Sequence, residues 1–150
     1  ENDMKSSIDF KIKEVLGVQK NKTFFHSVIA HAYYSIFNCA KAYLLSKRIK
    51  TGAPEEHKKT YDELKKFVEN GIIDVELLRI YEKLLIKADT LLSIFEKEKG
   101  KRGRFTYQKL SQANLEPANG SLENAKTFYK HIRKLCYYSL LLFKVDKRRT

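Results

Sequence analysis

The spacing of the apolar residues constrains this chain most: over long stretches they recur at three- and four-residue steps, and no stretch reads as a strand. Between Phe24 and Arg48, the residues Phe25, Ile29, Ala32, Tyr33, Ile36, Ala40, Tyr43 and Leu44 fall on one side of a helix. Between Val75 and Glu98, Leu77, Tyr81, Leu84, Ala88, Leu91 and Phe95 follow a four-three alternation. Between Leu122 and Val145, Ala125, Phe128, Ile132, Leu135, Cys136, Ser139, Leu140 and Phe143 form a third stripe. Stripes of this length need partners along their whole extent, which predicts an all-α, up-and-down bundle of four to five helices.

Two shorter helices complete the expected set. One runs from Ser7 to Leu16 with Ser6 or Ser7 as its cap, and one starts at Pro54 and stops at Asn70-Gly71. Asp74 and Ser121 are the expected N-caps of the fourth and fifth helices. Lys99 to Gly120 reads as one long irregular segment, a kind of loop that often carries function. At 150 residues, 43% of them hydrophobic, the chain suits one domain spanning 1–150, with residues 1–5 and 145–150 expected to fray.

The charge then narrows the partners. There are 30 Lys and Arg against 18 Asp and Glu, a net +12. That excess has two readings: contact with an anionic partner, or a generally lysine-rich surface, since the lysines are spread along the chain. No run of about 18 apolar residues is present, so no membrane partner is expected. Residues 1–10 lack the basic-then-apolar pattern of a signal peptide, and a cytoplasmic location is the expectation. Cys39 and Cys136 lie on apolar helix faces and read as reduced, buried thiols. No Cys/His group has the spacing of a metal site, and no cofactor motif appears.

Few residues suggest chemistry. The segment from Lys97 to Tyr107 sets Lys99, Lys101, Arg102 and Arg104 beside Phe105 and Tyr107, around Gly100 and Gly103. Cationic heads bind phosphate and exposed rings stack on bases, so these residues are candidate nucleic-acid or nucleotide contacts. The competing reading is a basic loop whose aromatics tuck into the core. Among the histidines, His57 at a helix start suits structural hydrogen bonding, whereas His31 shares a helix face with Tyr34 and Asn38. That face, with Ser27, Lys41 and Leu45, is more aromatic than a solvated face; it meets a second subunit, lines a cleft or packs on a neighbouring helix.

The run from Ala30 to Leu45, AHAYYSIFNCAKAYLL, resembles the signature helix of the HEPN family: paired tyrosines, an aromatic, Ala-x-Ala, then paired leucines. His57 resembles a histidine frequent at the start of that family's next helix. Arg102-Gly103-Arg104-Phe105-Thr106-Tyr107 resembles an Arg-x-x-Ala-Asp-Tyr motif of small stand-alone members, with Phe105 and Thr106 in place of Ala-Asp. The resemblance spans roughly Phe24 to Leu142. It implies a dimerising helical bundle, often paired with a minimal nucleotidyltransferase as in toxin–antitoxin systems. Active members are metal-independent ribonucleases with an Arg, then four to six variable residues, then a His, and no Arg here is completed in that way.

Two expectations follow. The first is a non-catalytic module binding RNA, a nucleotide or a nucleotidyltransferase partner near Arg102, Arg104 and Tyr107. The second is a divergent ribonuclease in which Arg102 stabilises charge and Tyr107 or His31 moves a proton. A two-fold homodimer through His31, Tyr34, Asn38 and Lys41, with Tyr138 of the last helix, accompanies the first.

Overall fold

The computed structural model describes residues 1–20, 22–81, 86–107 and 115–146, with the side chains of 7, 8, 106, 107 and 143–146 left out. The fold is all-α. Among the described residues there are seven helices: α1 (Asn2–Ile8), α2 (Phe10–Val15), α3 (Phe25–Ser46), α4 (Glu56–Glu69), α5 (Ile72–Tyr81), α6 (Ala88–Tyr107) and α7 (Leu115–Asp146). The count exceeds the expected four to five because two expected helices are each divided.

The first division lies at Asp9, whose carboxylate accepts from the N–H groups of Lys11 (2.9 Å) and Ile12 (3.3 Å). Asp9 rather than Ser6 or Ser7 therefore caps a short α2. The segment expected to fray at the start is helical instead, and Met4 on α1 is buried against Val28, Ile29 and Ala118. The second division separates α5 from α6, and Leu84 of the expected stripe lies outside the described residues.

Pro54 does not open α4. Its peptide bond is cis, and Glu55 stands between it and the helix with φ +60°. Thr60 ties this turn down: its hydroxyl donates to the Glu56 carbonyl at 2.8 Å and pairs with Thr51 Oγ1 at 2.7 Å. These bonds fix the first turn of α4, where His57 sits.

Of the long segment expected to be irregular, the described residues 99–107 and 115–120 are helical, and 108–114 lie outside the described residues. α6 continues through Gly100 and Gly103 to Tyr107, and α7 begins at Leu115, before Ser121. Ser121 is thus a buried residue inside α7 and not its cap.

The core is built on α3. Ile29, Tyr33, Ile36, Ala40, Tyr43 and Leu44 are fully buried, as the spacing predicts, while Phe25 is only partly covered. Against this stripe pack Leu77 of α5, Leu91 and Phe95 of α6, and Phe128, Ile132 and Leu135 of α7. Phe95 anchors an aromatic centre, with ring centroids 6.2 Å from Tyr33, 5.7 Å from Tyr61 and 6.1 Å from Phe128. One ionic pair is enclosed with it: Glu76 accepts from the Tyr43 hydroxyl at 2.9 Å and binds Lys47. Leu140, placed on the core stripe by its spacing, is 54% exposed, because the stripe drifts around the long α7 toward its end.

Candidate functional site

α3, α4 and α6 meet around the paired tyrosines. Tyr33 and Tyr34 are consecutive on α3, so their rings diverge by about 100° around the helix axis. Tyr33 turns inward and is fully buried; Tyr34 stays 37% exposed at the rim. Arg102 of α6 lies over both, its guanidinium carbon 5.3 Å from the Tyr33 centroid and 4.9 Å from that of Tyr34. Its Nη2 also donates to the Tyr34 hydroxyl at 2.6 Å. A guanidinium has five N–H donors, so one bond to Tyr34 leaves others that can meet an anion.

His57 completes the cluster from α4. Its Nδ1 lies 2.8 Å from the Tyr33 hydroxyl, and its ring stacks on Phe37 at 4.0 Å and meets Tyr34 edge-on at 5.9 Å. Burial first, and then the Arg102 charge, hold this imidazole below its ordinary range; Lys99 and Lys41 act in the same sense and Glu56 opposes them. The neutral ring therefore predominates at pH 7. Lys41 lies over Phe37 at 5.6 Å and pairs with Glu56, whose carboxyl is held below its usual range chiefly by that hydrogen bond. Lys99 sits one α6 turn before Arg102, over the Tyr61 ring at 5.6 Å. The result is a basic, aromatic cluster, termed the basin below, of Arg102, Lys41 and Lys99 over Tyr33, Tyr34, Phe37 and Tyr61, with the His57 imidazole against Tyr33, Tyr34 and Phe37.

This arrangement divides the residues expected to act together. Arg102 and Lys99 are in the basin. Lys101 is not: its ammonium donates to Glu98 at 2.8 Å and Ser121 at 3.3 Å, fastening α6 to α7. Arg104 is exposed on α6, and the side chain of Tyr107 lies outside those described. His31 turns toward α1 instead, with Nδ1 3.1 Å from Asp3 and 3.4 Å from Ser27. Its place on the face of Tyr34 does not bring it to Arg102, because α1 offers a nearer acid.

The expected interface set is spread in the same way. Asn38 is exposed, Tyr34 is engaged by Arg102, Lys41 by Glu56, and Tyr138 lies on a different surface, beside Ile80 and Lys134. Phe105 is partly buried 6.2 Å from His26, which agrees with the reading of that aromatic as a packing anchor.

His57, expected from the sequence to have a structural role, lies within the site. Its expected structural hydrogen bond is present, but the bond is to a tyrosine that also carries Arg102. The sequence signal for it was its place at the start of the helix that follows the tyrosine pair.

Among the described residues no group of His, Cys, Asp or Glu could hold a metal ion, and no helix is long and apolar enough to cross a membrane. Both thiols are free and partly buried; burial foremost raises Cys39 above its ordinary range and Cys136 to about 11, so neither is an activated nucleophile. The class this fold and site define is an all-α helical domain in which basic and aromatic side chains cluster where α3, α4 and α6 meet. Compared with known proteins, the chain matches no family model, no curated protein and no solved structure.

Proposed function

We propose that this chain is a HEPN-like binding module that takes RNA or a nucleotide, with phosphate on Arg102, Lys99 and Lys41 and a base against Tyr34. The observation that carries the reading is the placement of Arg102 within cation–π distance of two adjacent tyrosines, beside a histidine held below its ordinary range. Phosphate contact supplies affinity, and a half-exposed ring supplies a stacking surface that any base can use. The order of motifs along the chain, from the tyrosine helix through His57 to Arg102, supports the family part of the proposal.

Filter binding of a labelled single-stranded RNA at graded salt tests it. Affinity is expected to fall steeply as salt rises, and Arg102→Ala to weaken it by roughly tenfold or more, since a charged hydrogen bond contributes about 1.5–3 kcal/mol. Equal affinity in the variant, or no salt dependence, would remove phosphate contact as the mechanism.

One observation favours a second reading, a metal-independent ribonuclease. His57 shares the basin with Arg102 and is held neutral, so it is the group in reach that accepts a proton at pH 7. In this reading His57 takes the role expected of Tyr107 or His31. Cleavage in the presence of EDTA, abolished separately by His57→Ala and Arg102→Ala, would establish it; intact RNA after prolonged incubation with the wild-type chain rejects it.

A further inference from the structure

Away from the basin, the outer face of α7 carries a second, separate surface. Tyr129, Arg133 and Tyr137 stand one turn apart, and the Arg133 guanidinium lies 5.9 Å from each ring centroid. Leu140 and Leu141 extend this ridge, and all four apolar side chains are between 48% and 61% exposed. Patches of this kind on a folded domain mark contact surfaces. A concave space borders each side of the ridge. One of about 650 Å³ is lined by Ile80, Lys130, Lys134 and Tyr138 with the ridge, and one of about 360 Å³ by Cys39, Ala42 and Ile132.

Among the described residues that line the two spaces, the charged ones, Lys130, Arg133 and Lys134, have one sign. From Asn124 to Val145 the sequence contains Lys126, Lys130, Arg133, Lys134 and Lys144 and no Asp or Glu. Several lysines of the molecule are paired with carboxylates: Lys41 with Glu56, Lys47 with Glu76, Lys66 with Glu63, Lys101 with Glu98 and, at the near end of this run, Lys126 with Glu123. Among the described residues, no ion pair uses Lys130, Arg133 or Lys134.

We propose that the face of α7 from Tyr129 to Leu141 is a docking surface for an acidic, amphipathic helix of a partner protein. The ridge is about 18 Å long at 1.5 Å per residue, so three turns of a partner helix would cover it. Aliphatic anchors of that helix would enter the two spaces beside the ridge, and its carboxylates would meet Lys130, Arg133 and Lys134. Tyrosine and arginine together at the centre of a patch are the residue types that anchor such contacts.

Other occupants fit less well. A second copy of this chain, paired by a two-fold axis, would set these same cations against one another. A nucleic-acid strand gains from the cations and rings but nothing from covering Leu140, Leu141 and Ile80. A lipid surface is flat, whereas the apolar residues here border concave spaces.

A display library of helical sixteen-residue peptides, selected on the wild-type chain, provides the test. Selected sequences are expected to share aliphatic residues at three- and four-residue steps and Glu or Asp beside them. A synthetic peptide of that consensus should bind at least tenfold more weakly to Arg133→Glu and to Tyr137→Ser, both exposed positions, with circular dichroism showing the fold intact. Arg102→Ala should leave that affinity unchanged, which separates this surface from the basin. The proposal is overturned if selection yields no acidic amphipathic consensus or if the consensus peptide binds all three variants alike. It is equally overturned if Arg133→Glu instead abolishes RNA binding, flotation with phosphatidylserine vesicles or a doubled mass in light scattering.

Discussion

His57 shows how one side chain can belong to the core and to the site at once. Its ring is sandwiched on Phe37 and tied to the buried Tyr33 hydroxyl, yet it faces Arg102, and both burial and that charge disfavour its protonated form. His131, stacked edge-on to Tyr81 and bonded to its hydroxyl at 3.1 Å, is lowered in the same direction by burial and then by Lys130 and Lys134. The unfolded chain therefore binds more protons than the folded one once pH falls below about 6.5, the ordinary imidazole value. The stability these histidines contribute is complete above that pH and is lost as pH falls through their lowered folded values. Urea unfolding at pH 7.5 and pH 5.5, a window above most carboxylate titration, should give a lower midpoint at the acid end. The double substitution His57→Gln with His131→Gln should flatten the difference. Equal wild-type midpoints at the two pH values would contradict the assignment.

At the level of helices, Asp74 marks where local reading succeeds and where it stops. Its residue type signals a cap, and it is one, but for a different helix. Asp74 lies in the first turn of α5, and its carboxylate accepts the Ala88 N–H at 2.7 Å, fourteen residues ahead. Asp74→Ala should cost about 1 kcal/mol, the usual value of an N-cap, and lower the melting temperature by about 3 °C. Asp74→Asn should retain most of it, and calorimetry of the pair checks both. The stripes of α3 and α7 were legible because burial and helical period coincide there, as Ile36, Ala40, Phe128 and Ile132 show. Residues 99–107 and 115–120 were not. Gly100, Gly103 and Gly120 read as breakers, each costing about 1 kcal/mol in a helix. Tertiary anchoring outweighs them: Phe95 and Glu98 before, and Ala118 and Ser121 after, are fully buried. A β-carbon at Gly103 would meet nothing, so its helical setting reflects tolerance and not a packing need. Pro117 occupies the first turn of α7, where no helical N–H is lost. The basin itself was half legible. Arg102 was named by its charge and neighbours, but its approach to Tyr34 spans 68 residues, and no local pattern reports such a contact.

For the molecule as a whole, the net charge of +12 makes weak attraction to any anion unavoidable, so binding alone cannot distinguish a built site from a basic surface. Stability offers a cleaner discriminant. A ligand that binds the folded chain at one site raises stability by mass action, about 1.4 kcal/mol at ten times its dissociation constant, whereas screening of diffuse charge depends on ionic strength alone. Pyrophosphate at a few millimolar, compared with sodium chloride at matched ionic strength, separates the two. The wild-type chain should melt several degrees higher in pyrophosphate. Arg102→Ala should lose that increment while keeping the chloride response, because removing one of 30 cations barely changes the global field. The double substitution Arg133→Ala with Lys134→Ala removes more charge from α7, outside the basin, and should keep the increment. An increment that scales with the number of cations removed, regardless of their place, would show that the chain responds to anions as a basic surface and not through the cluster around Tyr33 and Tyr34.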